Sequence, residues 1–101
     1  MNHDPALQPL NQEKIEENLE ALSGWELDDY KICKTFEFPT FGDGVGFVST
    51  LAPSLNEINH HPDIAIQYRK ITFCLTSHDI GDKLSGRDFQ VATIIDGLYG
   101  K

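Results

Sequence analysis

Three of the chain's four histidines fall in one short window: His60 and His61 are adjacent and followed by Pro62, and His78 comes seventeen residues after His61. Histidine is the side chain whose ordinary pKa lies near neutrality, so imidazoles that converge in a fold can supply a proton donor and a proton acceptor at the same pH. That is equipment for acid/base chemistry. Two other readings stand beside it. A His-His pair before proline also describes a polar helix end, because helices usually stop before proline. A metal site is the third reading, although adjacent histidines suit a single zinc poorly.

The elements that must hold these side chains can be read in order. Asn11 can cap a helix whose apolar positions Ile15, Leu19 and Leu22 recur at helical spacing, with Leu10 and Ile15 placed as a hydrophobic staple and Gly24 placed to end it. Residues 25–27 and 30–38 read as two strands around an Asp28-Asp29 turn. In the second strand Ile32, Lys34, Phe36 and Phe38 share one face and Cys33, Thr35 and Glu37 the other. Between 40 and 60 the positions Phe41, Val45, Val48, Leu51, Leu55 and Ile58 form a helical stripe. Gly42, Gly44 and Gly46 predict a frayed first turn, and Pro53 a kink.

This helix would deliver His60 and His61 at its end, where consecutive side chains diverge by about 100°. Pro62 is the expected source of the irregularity that lets both serve one site. Residues 64–68 and 70–76 then read as a hairpin, with Ile71, Phe73 and Leu75 alternating against Thr72, Cys74 and Thr76, and His78 just beyond. Ser85 can cap a last helix with the stripe Phe89, Ala92, Ile95 and Leu98, and Asp88 at its third position. The order α-β-β-α-β-β-α with tight hairpins predicts an α+β single domain, a four-stranded antiparallel sheet with helices packed on one face.

Bulk properties narrow the functional classes. The 101 residues, 40% of them hydrophobic, suffice for one core. Residues 1–10, with Pro5 and Pro9, are expected as a flexible arm before a folded domain at 11–101. Sixteen acidic residues against eight basic ones give a net charge of −8, and Arg69-Lys70 is the lone local basic pair, so direct nucleic-acid binding is not expected. The sequence holds no apolar run of membrane-spanning length, and its first residues lack the basic start and apolar block of a secretion signal. The expected compartment is the cytoplasm, with no membrane partner. Cys33 and Cys74 stand 41 residues apart and match no metal or redox spacing, so both are expected as reduced, small strand residues.

From about Leu22 to the C-terminus the chain resembles the pterin-4a-carbinolamine dehydratases, also called the dimerisation cofactor family. The residues that carry the resemblance are Gly24-Trp25, Phe36 and Phe38, Phe41, Phe47, His60-His61-Pro62, Tyr68, Thr76-Ser77-His78 and Asp88. The family's active-site pattern sets an acidic, Lys or His residue four positions before His-His-Pro, then an aromatic, a His and an Asp. The spacings from His60 through Tyr68 and His78 to Asp88 fit it. Two positions depart: Asn56 stands where the pattern has the charged residue, with Glu57 one place out of register, and the loop after His78, Ile80 to Lys83, is longer by one residue and poorer in glycine.

The resemblance implies dehydration of a 4a-hydroxytetrahydropterin, such as the biopterin form, to quinonoid dihydropterin, within tetrahydropterin recycling. By resemblance His60, His61 and His78 form the catalytic and binding set. Asn59, Thr76, Ser77 and Asp79 line the pterin, and Glu57 and Asp88 support the site. Asp88 also has a plain reading as a carboxylate favoured in a first helical turn, worth about 0.3–1 kcal/mol. No cofactor and no metal are expected from the histidine cluster, and the resemblance implies a homodimer or homotetramer. The family also contains binding modules: a dimerisation cofactor for a transcription factor, and dehydratase-like relatives that assist RuBisCO assembly and tend to lack the three histidines. Such an assembly role is the alternative function.

Overall fold

Two antiparallel hairpins make the sheet, and their pairing brings the ends of the chain's functional segments together. The computed structural model describes residues 5–100, so residues 1–4 of the expected arm lie outside the described residues. β1 (Glu26–Asp28) and β2 (Lys31–Glu37) form the first hairpin, β3 (Asp63–Gln67) and β4 (Lys70–Leu75) the second. β2 pairs with β4 to give the order β1-β2-β4-β3, antiparallel throughout. Each hairpin turns on one non-glycine residue in the left-handed region, Asp29 and Tyr68.

Alternation does the sorting expected of a half-covered sheet. Ile32, Phe36, Ile71, Phe73 and Leu75 are buried under the helices, joined by Trp25, Leu51, Leu55, Phe89, Val91, Ala92 and Ile95. Lys34 shares the covered face of β2, but its ammonium reaches Asp96 at 2.9 Å and the Ser23 carbonyl at 2.7 Å. On the other face the Thr35 and Thr72 hydroxyls bond at 2.7 Å. There the structure corrects the expectation for the cysteines. Cys33 sits directly opposite Cys74 in the β2–β4 register, their Cα atoms 4.2 Å apart, and a disulfide joins them. A separation of 41 residues says nothing about register, and register alone made them neighbours.

Among the described residues the α-helices are α1 (Gln12–Glu20), α2 (Phe41–Ile58) and α3 (Gly86–Tyr99). Asn11 caps α1 by accepting from the Lys14 amide. The helix stops at Glu20, before Gly24, whose positive φ of 84° serves the turn into β1. α2 is not frayed: Thr40 caps it through the Asp43 amide and it runs unbroken through Pro53. Its glycines have separate roles. A Cβ on Gly44 would lie 3.0 Å from Ile71 Cδ1, so this glycine lets the helix close on the sheet. Phe41 and Val45, expected in the apolar stripe, are exposed, and it is Gly44 between them that is buried against the sheet. Residues 5–10 of the expected arm include a short 3₁₀ turn at Pro5–Leu7, and the Leu10 amide bonds the Leu84 carbonyl at 2.9 Å.

Candidate active site

The end of α2 decides where His60 and His61 point. Asn59 takes a left-handed conformation with φ 55° and ψ 45°. The Asn59 amide bonds the Asn56 carbonyl and the His60 amide the Leu55 carbonyl, a Schellman ending. The irregularity expected at Pro62 is therefore placed at Asn59. Asparagine is among the few non-glycine residues that visit this region readily. The reversal turns His60 inward, where it is buried, and leaves His61 exposed.

His60 meets a network drawn from three segments. Its Nε2 lies 2.7 Å from Asp88 Oδ1, across 28 residues of sequence. Asp88, fully buried at the start of α3, also accepts from Ser77 Oγ at 2.8 Å and from the Ser85 amide at 2.9 Å. Ser77 Oγ and Ser85 Oγ are 2.7 Å apart. Asp88 thus closes the capping box of α3 with one oxygen and holds an imidazole with the other. An ionised carboxylate only accepts, so opposite an ionised Asp88 the His60 proton sits on Nε2.

The other two imidazoles have different partners. His61 Nε2 lies 3.0 Å from the amide oxygen of Asn56, one turn back on α2. His78 Nδ1 bonds the Asp82 carboxylate within its own loop. That hydrogen bond, with the added negative charge of Asp82, Asp63 and Asp79, raises the His78 pKa above its ordinary value, against a smaller opposing effect of desolvation.

Asn59, His60, His61, Thr76, His78 and Asp79 line one open cavity of ≈ 180 Å³. That is less than the roughly 300–1,000 Å³ typical of pockets that enclose a ligand. A larger hollow of ≈ 540 Å³ over β1 and β2 contains no imidazole, so size does not mark the site. Ser77 is placed off the cavity, fully buried against Asp88. Glu57 faces a separate groove with Ser54, Ile58 and Ile94. Tyr68 stands at the β3–β4 turn, 72% exposed, under the Arg69 guanidinium. Asp82 was absent from the sequence-derived site. Its signal was the four-residue step from His78 across Gly81, a glycine that permits the loop to fold back on itself.

The sequence profile of the family described as pterin 4 alpha carbinolamine dehydratase matches residues 8–98. The chain belongs to this family. A protein of Roseiflexus castenholzii, provisionally named a pterin-4-alpha-carbinolamine dehydratase, is 44% identical over 89 residues, covering 88% of this chain and 95% of that one. A Mycobacterium tuberculosis protein under the same provisional name is 35% identical over 91 residues, covering 90% and 96%. The crystal structure of a transcriptional coactivator/pterin dehydratase from Brucella melitensis superimposes with a TM-score of 0.85 at 25% identity, covering 90% of this chain and 98% of that one. A pterin dehydratase-like protein identified as a RuBisCO assembly factor in the alpha-carboxysome shares the fold, with a TM-score of 0.59 at 20% identity and coverage of 76% and 88%.

Proposed function

We propose that this member of the pterin carbinolamine dehydratase family converts a 4a-hydroxytetrahydropterin, the biopterin form included, to quinonoid dihydropterin and water by imidazole acid/base catalysis. The observation that carries the reading is that His60, His61 and His78 border one cavity while one nitrogen of each ring is held by its own acceptor. Loss of water breaks the C4a–O bond, which needs a proton delivered to the leaving hydroxyl. The N5 electron pair forms the C4a–N5 double bond, and the N5 proton must pass to a base. Imidazoles fixed by an acceptor on one nitrogen can do either with the other, at about 10²–10⁴-fold benefit. Elimination of water changes no oxidation state overall, so the reaction calls for no redox cofactor.

The open edge of β3, where Ile64 and Ile66 are exposed, together with exposed Phe41 and Val45 on α2, supports assembly into a homodimer or homotetramer. No helix among the described residues is long and apolar enough to cross a membrane. We place the protein in the cytoplasm; the Cys33–Cys74 disulfide stands against a reducing compartment, so its redox state in the cell decides the placement. Acid-quenched alkylation of cells reads that state directly.

The deciding experiment follows quinonoid dihydropterin formation from freshly generated carbinolamine, with the uncatalysed rate subtracted at each pH. A bell-shaped profile is expected, its limbs reporting the imidazole cluster as a whole. Corrected activity that is flat from about pH 5 to 9, spanning the histidine reference of about 6.5, would sink acid/base catalysis and favour the non-catalytic binding module.

A further inference from the structure

The loop from Ser77 to Lys83 is the segment in which this chain departs from the family's spacing, and it is tightly built. The Ser77 amide bonds the Lys83 carbonyl at 3.0 Å, and the Asp82 amide returns to the Ser77 carbonyl at 3.2 Å. Gly81 and Asp82 are both left-handed, with φ of 79° and 60°. Two consecutive left-handed residues reverse the chain, and the reversal carries the Asp82 carboxylate back onto His78 Nδ1. Aspartate is among the few side chains that accept such a conformation. The same loop therefore supplies both the imidazole and its acceptor.

We propose that Asp82 is a positioning residue for the dehydration reaction: by accepting the Nδ1 proton of His78 it fixes that ring, so that Nε2 is the atom presented to the pterin and carries the proton given to the leaving hydroxyl. The proposal rests on the dehydratase reading and refines it. The Nε2–H bond breaks as the C4a–O bond does, and water leaves. The N5 proton goes to a second imidazole of the cavity, and exchange with solvent restores the proton on Nε2. The charged groups around His78 are consistent with this assignment. Asp79 and Asp82 lie on its own loop and Asp63 on β3, all raising its pKa, while His60 and His61 border the cavity from the end of α2. His61 differs, since its acceptor is the uncharged amide of Asn56.

The contrast supplies the test. Asp82→Asn keeps the shape and an acceptor oxygen but removes the charge, giving His78 the kind of partner that His61 already has. NMR titration of the His78 ring should show its midpoint moved downward in Asp82→Asn and restored upward in Asp82→Glu. The alkaline limb of kcat/KM should move with it. At neutral pH kcat should fall about tenfold, a part of the ~10²–10⁴ that a general acid contributes, with KM unchanged and the protein still folded. An unmoved His78 titration in Asp82→Asn overturns the proposal, as does a moved titration with an unmoved rate limb. A protein that never forms quinonoid dihydropterin, yet shows the titration shift, overturns the reaction and Asp82's part in it while keeping the pairing.

Discussion

Two histidine–carboxylate pairs stand on either side of one cavity, and they are made in opposite ways. His60–Asp88 joins the end of α2 to the start of α3, with side-chain exposures of 9% and 0%, and Asp88 is further tied to Ser77 and Ser85. His78–Asp82 is a single loop's product, with exposures of 63% and 49%. A buried carboxylate with several donors is part of the fold, because removing any partner strands a desolvated polar group. An exposed pair is screened by solvent and adds little to folding. The same chemical unit is thus a structural member in one place and a local adjustment of an imidazole in the other.

The largest expected effect follows from that difference. Asp88→Ala should lower stability by about 3 kcal/mol or more, because Ser77, Ser85 and His60 lose a shared acceptor. His60→Ala and His78→Ala should each lower the dehydration rate by about 10²–10⁴. Of these two, His78→Ala should leave the urea midpoint in place. Rates within threefold of the parent in both would remove the two imidazoles from the mechanism, and an unfolding midpoint lowered as far by His78→Ala as by Asp88→Ala would erase the contrast.

A change outside both pairs provides the next step. Cys33 and Cys74 lie on the uncovered face of the sheet and close a loop of 41 residues. Reducing the bond, or the double substitution Cys33→Ser/Cys74→Ser, should cost about 2–4 kcal/mol in the unfolding free energy. The rate should not change. A loss of rate without a loss of stability would show that the sheet's far face reaches the cavity after all.

Smaller effects sharpen the comparison by altering one partner's charge. Asn56→Glu gives His61 a charged acceptor and should raise turnover roughly fivefold, the worth of about 1 kcal/mol from a charge-assisted hydrogen bond over a neutral one. Turnover equal to the parent's in a well-folded variant would mean that the uncharged amide serves as well. The smallest effect concerns pH. Because the folded-state pKa of His78 is raised, chiefly by the Asp82 hydrogen bond, the pair's stabilisation is fully present below the unfolded value of 6.5 and is lost as pH rises through the folded value above it. Wild type should therefore lose slightly more stability than Asp82→Asn across that interval. Superimposable pH–stability curves for the two would count against the pair in solution.

The sequence by itself determined the parts whose causes are local. Asn11 and Ser85 cap their helices as their side-chain chemistry dictates, and Ile32, Phe36, Ile71, Phe73 and Leu75 fall on the covered face because strands alternate. The three histidines and Asp88 were legible as candidates from their types and spacing. Tertiary structure decided what depends on distant segments or on a single backbone angle. The left-handed Asn59, not Pro62, parts His60 from His61. The β2–β4 register makes Cys33 and Cys74 partners, and helix–sheet approach gives Gly44 its place. Ser77 turned inward to Asp88, and Glu57 turned away from the cavity while Asn56 met His61. A one-residue rotation on a helix moves a side chain by about 100°, enough to exchange one partner for another, and composition and spacing leave that choice to packing.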